Sequence, residues 1–302
     1  MSLIKLLPHI REDLHGLTPN DPQMMGWEIK KFNIENLWNK TTGKNVVVAV
    51  IDTGCDYNHP DIKNNILEGK NFVDNNNDPM DGNGHGTHVS STICATNNNF
   101  GMVGIAPDTK IIPIKCLANN GSGEEDAVAS GIIWAANKKV DFITMSIGSP
   151  RSSAKIENAV NYASSNGVVI FCAAGNSGPN TDIMYPAKYD NTISIGAINK
   201  YLNRTNFTCS GDSLDFLAPG QDIMGCVPKN SYALMSGTSM SNPFAVGCAA
   251  LLCSYNKKYQ RYNLKTAEDY INVFKSKSQK LANLEYAGKK RYEGYGIMYP
   301  VL

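Results

Sequence analysis

The stretch VVVAVIDTGCD, residues 46–56, begins with six consecutive apolar residues, five of them β-branched, and then changes abruptly to Asp52. Such a run predicts a strand that is buried on both faces. Similar runs recur at residues 110–116, 141–146, 168–173 and 192–198, and helix-like segments separate them at residues 86–96, 124–137, 154–166 and 240–255. This alternation predicts an α/β fold with a doubly wound, mostly parallel sheet and helices on both faces.

In such a sheet the ligand crevice lies outside the carboxyl ends of the strands, so polar residues just after each apolar run are candidates for a site. Asp52 follows the first run, Ser146 follows residues 142–145, and Asn176 follows residues 168–174. We therefore expect these three side chains at one edge of the sheet.

Two further residues complete the groups that nucleophilic hydrolysis needs. His85 lies between two glycines at the start of an apolar helix, and Ser239 follows Gly237-Thr238 and opens the most apolar helix of the chain. Taken singly, each residue has a simpler interpretation. A serine at a helix start is most often an N-cap, and an asparagine after a strand is most often a turn residue. A metal site at His85 and His88 would need a third ligand, which the spacing does not offer.

The tripeptide Asp52-Thr53-Gly54 could belong to an aspartic-protease pair, to a Ser/His/Asp triad, or to a polar strand end. An aspartic protease needs two facing carboxylates, from a second such tripeptide or a symmetric dimer of a short chain. The sequence holds one copy and predicts an α/β sheet. We therefore favour the triad, with activity that rises with pH and does not peak in acid.

Together these motifs resemble the subtilisin-like serine proteases (the subtilase family), and most of all the intracellular subtilisins. The resemblance covers about residues 27–296. It is carried by four motifs: Asp52-Thr53-Gly54, His85-Gly86-Thr87-His88-Val89, Ala173-Ala174-Gly175-Asn176 and Gly237-Thr238-Ser239-Met240. The resemblance implies a serine endopeptidase with Ser239 as nucleophile, His85 as general base and acid, Asp52 as its orienting partner, and Asn176 as oxyanion donor.

The resemblance also implies a cleft in which an extended peptide pairs with two edge segments. One edge is Gly121, Ser122 and Gly123, and the other is Ser146, Ile147 and Gly148, which with Ala173, Ala174 and Gly175 wall the S1 pocket. Leu117 and Val128 are expected to floor the S4 pocket, where Glu125 replaces an aromatic residue of many relatives. The glycines could instead form only a surface turn.

A calcium site is implied in the same way. Its expected ligands are the side chains of Asp61 and Asn98 and the carbonyls of Thr96, Phe100 and Met102, all oxygen atoms as Ca²⁺ prefers.

We expect two parts in the chain: an N-terminal extension, residues 1–20, and a peptidase domain, residues 21–302. Leu6, Leu7, Pro8 and His9 resemble the inhibitory segment of intracellular subtilisins, in which proline kinks the bound strand so that its peptide bond misses the nucleophile. His9 stands where that segment usually has another aromatic residue. The alternative is a disordered start.

Composition and charge restrict the classes of partner and the location that we expect for the protein. The chain has 302 residues, a net charge of +1 and a pI near 7.5, so charge gives no reason to expect nucleic acid or an anionic membrane as partner. The longest apolar run, residues 244–253, is half of a membrane span.

No signal-peptide pattern opens the chain, and its eight cysteines lie mostly in apolar runs, so we expect a cytoplasmic protein with reduced thiols. The basic tail after Tyr255 is expected to be solvated surface, with a homodimer contact as the alternative.

Two other functions stay open at this point. One is a non-catalytic relative that binds peptides, which the complete triad disfavours. The other is a leader-processing peptidase with the same chemistry and narrow specificity. The sequence does not identify the substrate.

Overall fold

The computed structural model describes residues 3–14, 21–282 and 285–302. Its centre is a seven-stranded sheet in the order β11-β10-β9-β7-β3-β5-β4, with parallel pairing throughout. The strands are β3 (Val47–Asp52), β4 (Lys70–Asn71), β5 (Lys110–Lys115), β7 (Phe142–Met145), β9 (Val169–Ala173), β10 (Thr192–Ile198) and β11 (Phe216–Pro219). The predicted fold class is confirmed.

Helices cover both faces of this sheet. The helix α3 (His85–Cys94) and the long helix α6 (Thr238–Tyr259) pack together on one face, while α4 (Glu125–Asn137) and α5 (Ala154–Ser165) pack together on the other. The remaining helices are α1 (Trp27–Lys31), α2 (Ile34–Trp38), α7 (Ala267–Lys275) and α8 (Lys290–Glu293), with a 3-10 turn at Lys63–Asn65. The core lies between the sheet and these layers, where the strands are almost entirely buried.

Two small antiparallel sheets flank the edge where the central strands end, and both include residues of the N-terminal segment. The strand β1 (Leu3–Leu6) lies between β6 (Ser122–Glu124) and β8 (Ile147–Gly148). The strand β2 (Ile10–Asp13) adds to the hairpin of β12 (Ile223–Val227) and β13 (Ser231–Ser236). The predicted boundary between the N-terminal extension and the peptidase domain lies between residues 20 and 21. Asn20 is outside the described residues.

All eight cysteines are buried and unpaired, as the sequence predicted for reduced thiols. Among the described residues, no helix is both long and apolar enough to cross a bilayer.

Candidate active site

The carboxyl end of β3 meets the first residue of α3. His85 Nδ1 lies 2.8 Å from Asp52 Oδ1, and both side chains are 0 % exposed. The close packing of the helix on the strand depends on Gly86, because a Cβ at this position would lie 2.1 Å from the Gly54 carbonyl oxygen and 3.2 Å from Asp52 Cβ. A carboxylate buried against one imidazole nitrogen holds the ring in one orientation and stabilises its protonated form.

The loop before α3 is held by Asp81, a residue that the sequence analysis missed. Its carboxylate accepts hydrogen bonds from the Thr53 hydroxyl, from the hydroxyl and N–H of Thr87, and from the N–H groups of Asn83 and Gly84. Burial alone would raise the pKa of Asp81, but these donors outweigh burial and hold the pKa below its usual range. The ionised carboxylate therefore fixes the start of the helix that carries His85.

Ser239 is the second residue of α6 and is also fully buried. Its hydroxyl donates to the Ser146 carbonyl at 3.3 Å, and the Ser146 hydroxyl donates to the Ser239 carbonyl at 3.0 Å. His85 Nε2 is buried and has no hydrogen-bond partner. The hydroxyl and the imidazole are thus not yet joined, an arrangement that is common before a substrate completes a site.

Asn176 follows β9 and is oriented by the residue before Ser239. Asn176 Oδ1 accepts from the N–H of Thr238 at 2.9 Å and from the Thr238 hydroxyl at 2.7 Å, so its Nδ2 points the other way, into the cleft. Gly237 keeps this space open, because a Cβ there would lie 2.9 Å from Asn176 Nδ2. The amide is therefore a fixed donor beside Ser239.

The N-terminal segment occupies the cleft as an extended peptide would. Lys5 lies opposite Gly148, and Ile4 lies opposite Gly123, so one chain pairs with both predicted edge segments. The side chains of Ile4 and Leu7 are each only 2 % exposed. The position of Leu7 is marked by Gly148, since a Cβ there would lie 2.4 Å from a Leu7 methyl carbon and 3.3 Å from Met184 Sδ.

Next to Leu7 the chain passes two of the candidate catalytic residues, Asn176 and His85. Asn176 Nδ2 donates to the Pro8 carbonyl at 2.6 Å, whereas the Leu7 carbonyl contacts His9 Nδ1 at 3.1 Å. The His9 ring lies 4.9 Å from the His85 ring, centroid to centroid. Burial, followed by the neighbouring His85, lowers the pKa of His9, which favours the neutral form of its imidazole.

The comparisons with known proteins agree with this geometry. The sequence profile described as "Subtilase family" matches residues 43–296. The chain belongs to the subtilase family. It is 40% identical over 272 residues to an "Intracellular serine protease" of Paenibacillus polymyxa, which covers 87% of this chain and 81% of the relative.

Two further relatives extend the likeness. The chain is 36% identical over 306 residues to the "Major intracellular serine protease" of Bacillus subtilis (strain 168), covering 98% of this chain and 93% of the relative. It is 40% identical over 250 residues to "Subtilisin DY" of Bacillus licheniformis, covering 82% and 88%. This subtilase is accordingly a serine endopeptidase, and its substrates are proteins or peptides.

The other residues predicted to contact substrate lie around the same cleft. Gly121 accepts from the Leu6 N–H through its carbonyl, and its neighbours Ser122 and Gly123 belong to β6. The remaining ones are buried: Leu117, Val128, Ser146, Ile147, Gly148, Ala173, Ala174 and Gly175. A Cβ on Gly175 would lie 3.0 Å from Met184 Cγ, so Met184 lies next to both Gly148 and Gly175. Nothing in the sequence pattern marked Met184, because it lies in a loop.

Glu125 is the first residue of α4. Its carboxylate accepts a hydrogen bond from the Ser153 hydroxyl at the N-cap of α5. This contact joins the starts of the helices α4 and α5.

The predicted calcium ligands converge on one side chain that the sequence analysis missed. Gln23 Nε2 lies 2.9 Å from the Thr96 carbonyl, 3.2 Å from Asn98 Oδ1, 3.3 Å from the Phe100 carbonyl and 3.2 Å from the Met102 carbonyl. An amide nitrogen carries two hydrogens and cannot satisfy four acceptors. Asp61 borders the same loop, where it accepts from the Asn98 amide and from the Met102 N–H.

These residues fit a hard cation. The oxygen and nitrogen of a glutamine amide are exchanged by turning the amide over. Turned in this way, Gln23 would present an oxygen to a group of four oxygens with a carboxylate beside it, which is the donor set that Ca²⁺ prefers.

His88, the other histidine of the helix, is a structural residue. Its Nε2 contacts the Ile223 carbonyl at 3.0 Å, and its side chain is fully buried. Burial, with a smaller contribution from His85, lowers the pKa of His88 to about 3. A neutral imidazole packed against β12 stabilises the fold between α3 and the hairpin.

Proposed function

We propose that this subtilase cleaves peptide bonds with Asp52, His85 and Ser239 as its catalytic triad and Asn176 as oxyanion donor. The observation that supports it best is the contact of Asn176 with a peptide carbonyl beside Ser239, next to a histidine oriented by a buried carboxylate. In this mechanism the Ser239 hydroxyl rotates from the Ser146 carbonyl towards His85 Nε2 once a substrate is bound.

Each step then follows from the atoms in the cleft. Ser239 Oγ forms a bond to the scissile carbonyl carbon, and its proton passes to His85 Nε2, while Asp52 stabilises the imidazolium. The oxygen of the tetrahedral intermediate accepts from Asn176 Nδ2. His85 gives the proton to the leaving amine, and the C–N bond breaks to leave an acyl-enzyme. Water, deprotonated by His85, attacks this ester and releases the acid and free Ser239.

The test is hydrolysis of a quenched-fluorescent peptide by single variants. Ser239→Ala and His85→Ala should each abolish turnover. The matched control is Ser241→Ala, which changes another buried serine of the same helix turn, one that hydrogen-bonds the Thr238 carbonyl. Retained activity in Ser239→Ala would contradict the proposal and would favour a different nucleophile. Absence of activity in the control Ser241→Ala as well would favour a peptide-binding relative.

We also propose that the N-terminal extension, residues 1–20, inhibits the enzyme. Four contact residues support this: Leu6 pairs along β8, Leu7 fills the S1 position, and Pro8 and His9 cover Asn176 and His85. With Leu7 in the S1 position, the bond that a substrate would present is Leu7–Pro8. The carbonyl on Asn176 is that of Pro8, one residue later, so the Leu7–Pro8 bond is displaced from the nucleophile. His85 and Ser239 are fully buried under this segment.

A calcium ion in the Gln23 loop is the third part of the proposal. Gln23, Asp61 and Asn98 would bind it through side chains and Thr96, Phe100 and Met102 through carbonyls. When bound, the ion would tie residues 21–24 to the loop after α3. Its role would be structural, because the loop follows the far end of the helix that begins with His85.

We further propose a cytoplasmic location, supported by eight unpaired thiols and by two relatives named as intracellular. A homodimer, an absence of nucleic-acid or membrane partners, and narrow leader-processing specificity stay predictions. Light scattering of the purified chain tests the first, and peptide-library profiling tests the last.

A further inference from the structure

We propose that His59, Asp61 and Cys226 form a binding site for a transition-metal ion of the zinc class. All three side chains are 0 % exposed, and one ligand atom of each lies within 4.8 Å of the ligand atoms of the other two. Within the part of the chain that the structure describes, no other group of three histidine, cysteine or acidic side chains meets this condition. The inference does not rest on the proposed catalytic mechanism, because these residues take no part in it.

The fold brings the three residues together from two distant segments. His59 and Asp61 lie in the loop after β3, and Cys226 is the fourth residue of β12. Cys226 is fixed by its strand, since it lies opposite Tyr232 of β13 and its N–H donates to the Ser91 hydroxyl of α3 at 2.8 Å. The His59 ring stands edge-on to the Tyr232 ring at 5.4 Å, centroid to centroid. Packing therefore holds the ligands in place before an ion binds, as a precise metal site needs.

The donor set indicates the class of ion. A thiolate sulfur, an imidazole nitrogen and a carboxylate oxygen together suit Zn²⁺, whereas Ca²⁺ takes oxygen ligands. On binding, the Cys226 thiol gives its proton to solvent, and its sulfur forms the bond to the metal. One thiolate and one carboxylate then balance the two positive charges of the ion. The buried site is therefore neutral overall, which avoids the cost of an uncompensated charge away from water.

The distances suit a tetrahedral ion after a small contraction. Cys226 Sγ lies 4.0 Å from Asp61 Oδ2. A tetrahedral Zn²⁺ at its usual bond lengths would hold these two atoms about 3.5 Å apart. His59 Nε2 contacts the Ser231 carbonyl at 3.2 Å, which leaves Nδ1 as the ligand, and a metal-bound histidine commonly donates its other ring N–H to a backbone carbonyl in this way. Nδ1 accepts a long contact, 3.3 Å, from the Asp61 N–H, which the ion would replace.

The two oxygens of Asp61 have different neighbours. Oδ1 accepts from the Asn98 amide at 3.3 Å, on the side of the proposed calcium site. Oδ2 accepts from the Met102 N–H at 2.9 Å and from the Tyr232 hydroxyl at 2.8 Å, and the contact with Cys226 Sγ is also to Oδ2. The Tyr232 oxygen is thus within reach of a fourth ligand position. An ion on Oδ2 would share this carboxylate with the calcium loop and would tie the β12–β13 hairpin to the loop after β3.

The experiment titrates Co²⁺, a coloured substitute for Zn²⁺, into the full-length chain with Ser239→Ala, so that self-cleavage does not interfere. Calcium is present throughout. We expect the visible bands of a tetrahedral ion together with a thiolate-to-cobalt charge-transfer band, and Zn²⁺ should remove both. Cys226→Ala should abolish the charge-transfer band, and Cys226→Ala and His59→Gln should each raise the Kd about 100-fold. The matched control is Cys248→Ala, which changes another fully buried, unpaired cysteine and should bind as the parent chain does.

Thermal unfolding gives a second measurement. Zn²⁺ at about 100 times its Kd should raise the Tm of the parent chain by about 5 °C, and it should leave the Tm of Cys226→Ala unchanged. Equal Tm shifts in the two chains would contradict the site.

The parent chain alone can overturn the inference, whether or not the variants fold. Absence of Co²⁺ binding would do so, and so would binding without a charge-transfer band, because the ion would then lie on other ligands. Displacement of Co²⁺ by excess Ca²⁺ would also overturn it, since Ca²⁺ does not compete for a thiolate. None of these measurements involves peptide hydrolysis, so the proposed function is tested separately.

Discussion

Leu7→Ala should convert the full-length subtilase from a weakly active into a strongly active enzyme. Leu7 is 2 % exposed and lies against Gly148, where an added Cβ would lie 2.4 Å from a Leu7 methyl carbon. Truncation of a buried leucine to alanine removes about 2 to 3 kcal/mol of apolar contact. The equilibrium between covered and open cleft then shifts by about 30- to 150-fold, since each 1.4 kcal/mol is a factor of ten.

The assay is the initial rate on a short peptide, with intact-mass spectrometry to confirm that the extension has not been cut. The rate should rise by that factor until most molecules are open, and it then levels off. Leu3→Ala is the matched control: Leu3 belongs to the same strand but is 51 % exposed, so its variant should stay near wild type. Equal rates for uncut wild type and Leu7→Ala would refute the inhibitory role of the extension.

Three further predictions concern single sites. Thr238→Val removes one of the two hydrogen bonds that orient Asn176, so kcat should fall about five- to tenfold with little change in KM, while Thr238→Ser should restore it. Burial raises the pKa of Glu28 from 4.5 to about 7, so the free energy of unfolding should fall by about 3 kcal/mol as the pH rises from 4.5 to 8. Urea unfolding in a Ser239→Ala background should show this fall. The same measurement on Glu28→Gln should not show it. A calcium chelator should lower the Tm of the wild type by about 5 to 10 °C, and Gln23→Ala should abolish most of that difference. An unchanged wild-type Tm would contradict the proposed calcium site.

The central strands could be predicted because each one is a local apolar run. Residues 192–198 form β10 as predicted, and the first run differs from β3 by one residue at each end. Asp52 itself belongs to the strand, since it pairs with Lys115 of β5. α6 begins at Thr238, two residues earlier than expected, because helical geometry already starts after Gly237.

The hairpin and the N-terminal strands could not be predicted from local pattern. β12 contains Gly225 and Cys226, which interrupt the alternation expected of a strand, and it is stabilised by packing on α3. β1 and β2 are four-residue strands that exist because the peptidase domain supplies their edges. By contrast, the sequence indicates where α7 begins, because Thr266 and Asp269 form a capping box at its N-terminus.

The residues of the candidate site also divide into those that local sequence predicts and those that it does not. The four candidate catalytic residues lie in compact motifs at strand ends and helix starts, where local sequence predicts them. Gln23 and Met184 became candidates only through contacts that are distant in sequence: Gln23 lies 73 residues from Thr96, and Met184 reaches the cleft from a loop. Sequence spacing alone does not indicate such neighbours.

The most direct test of the central claim is covalent labelling with a fluorophosphonate, which reacts only with an activated serine. We predict that the full-length Leu7→Ala chain is labelled quickly, that peptide mapping finds the adduct on Ser239, and that wild type with an intact extension is labelled about 30- to 150-fold more slowly. An adduct on another residue, or no adduct in the Leu7→Ala chain, would contradict the assignment of Ser239 as the nucleophile under the N-terminal extension.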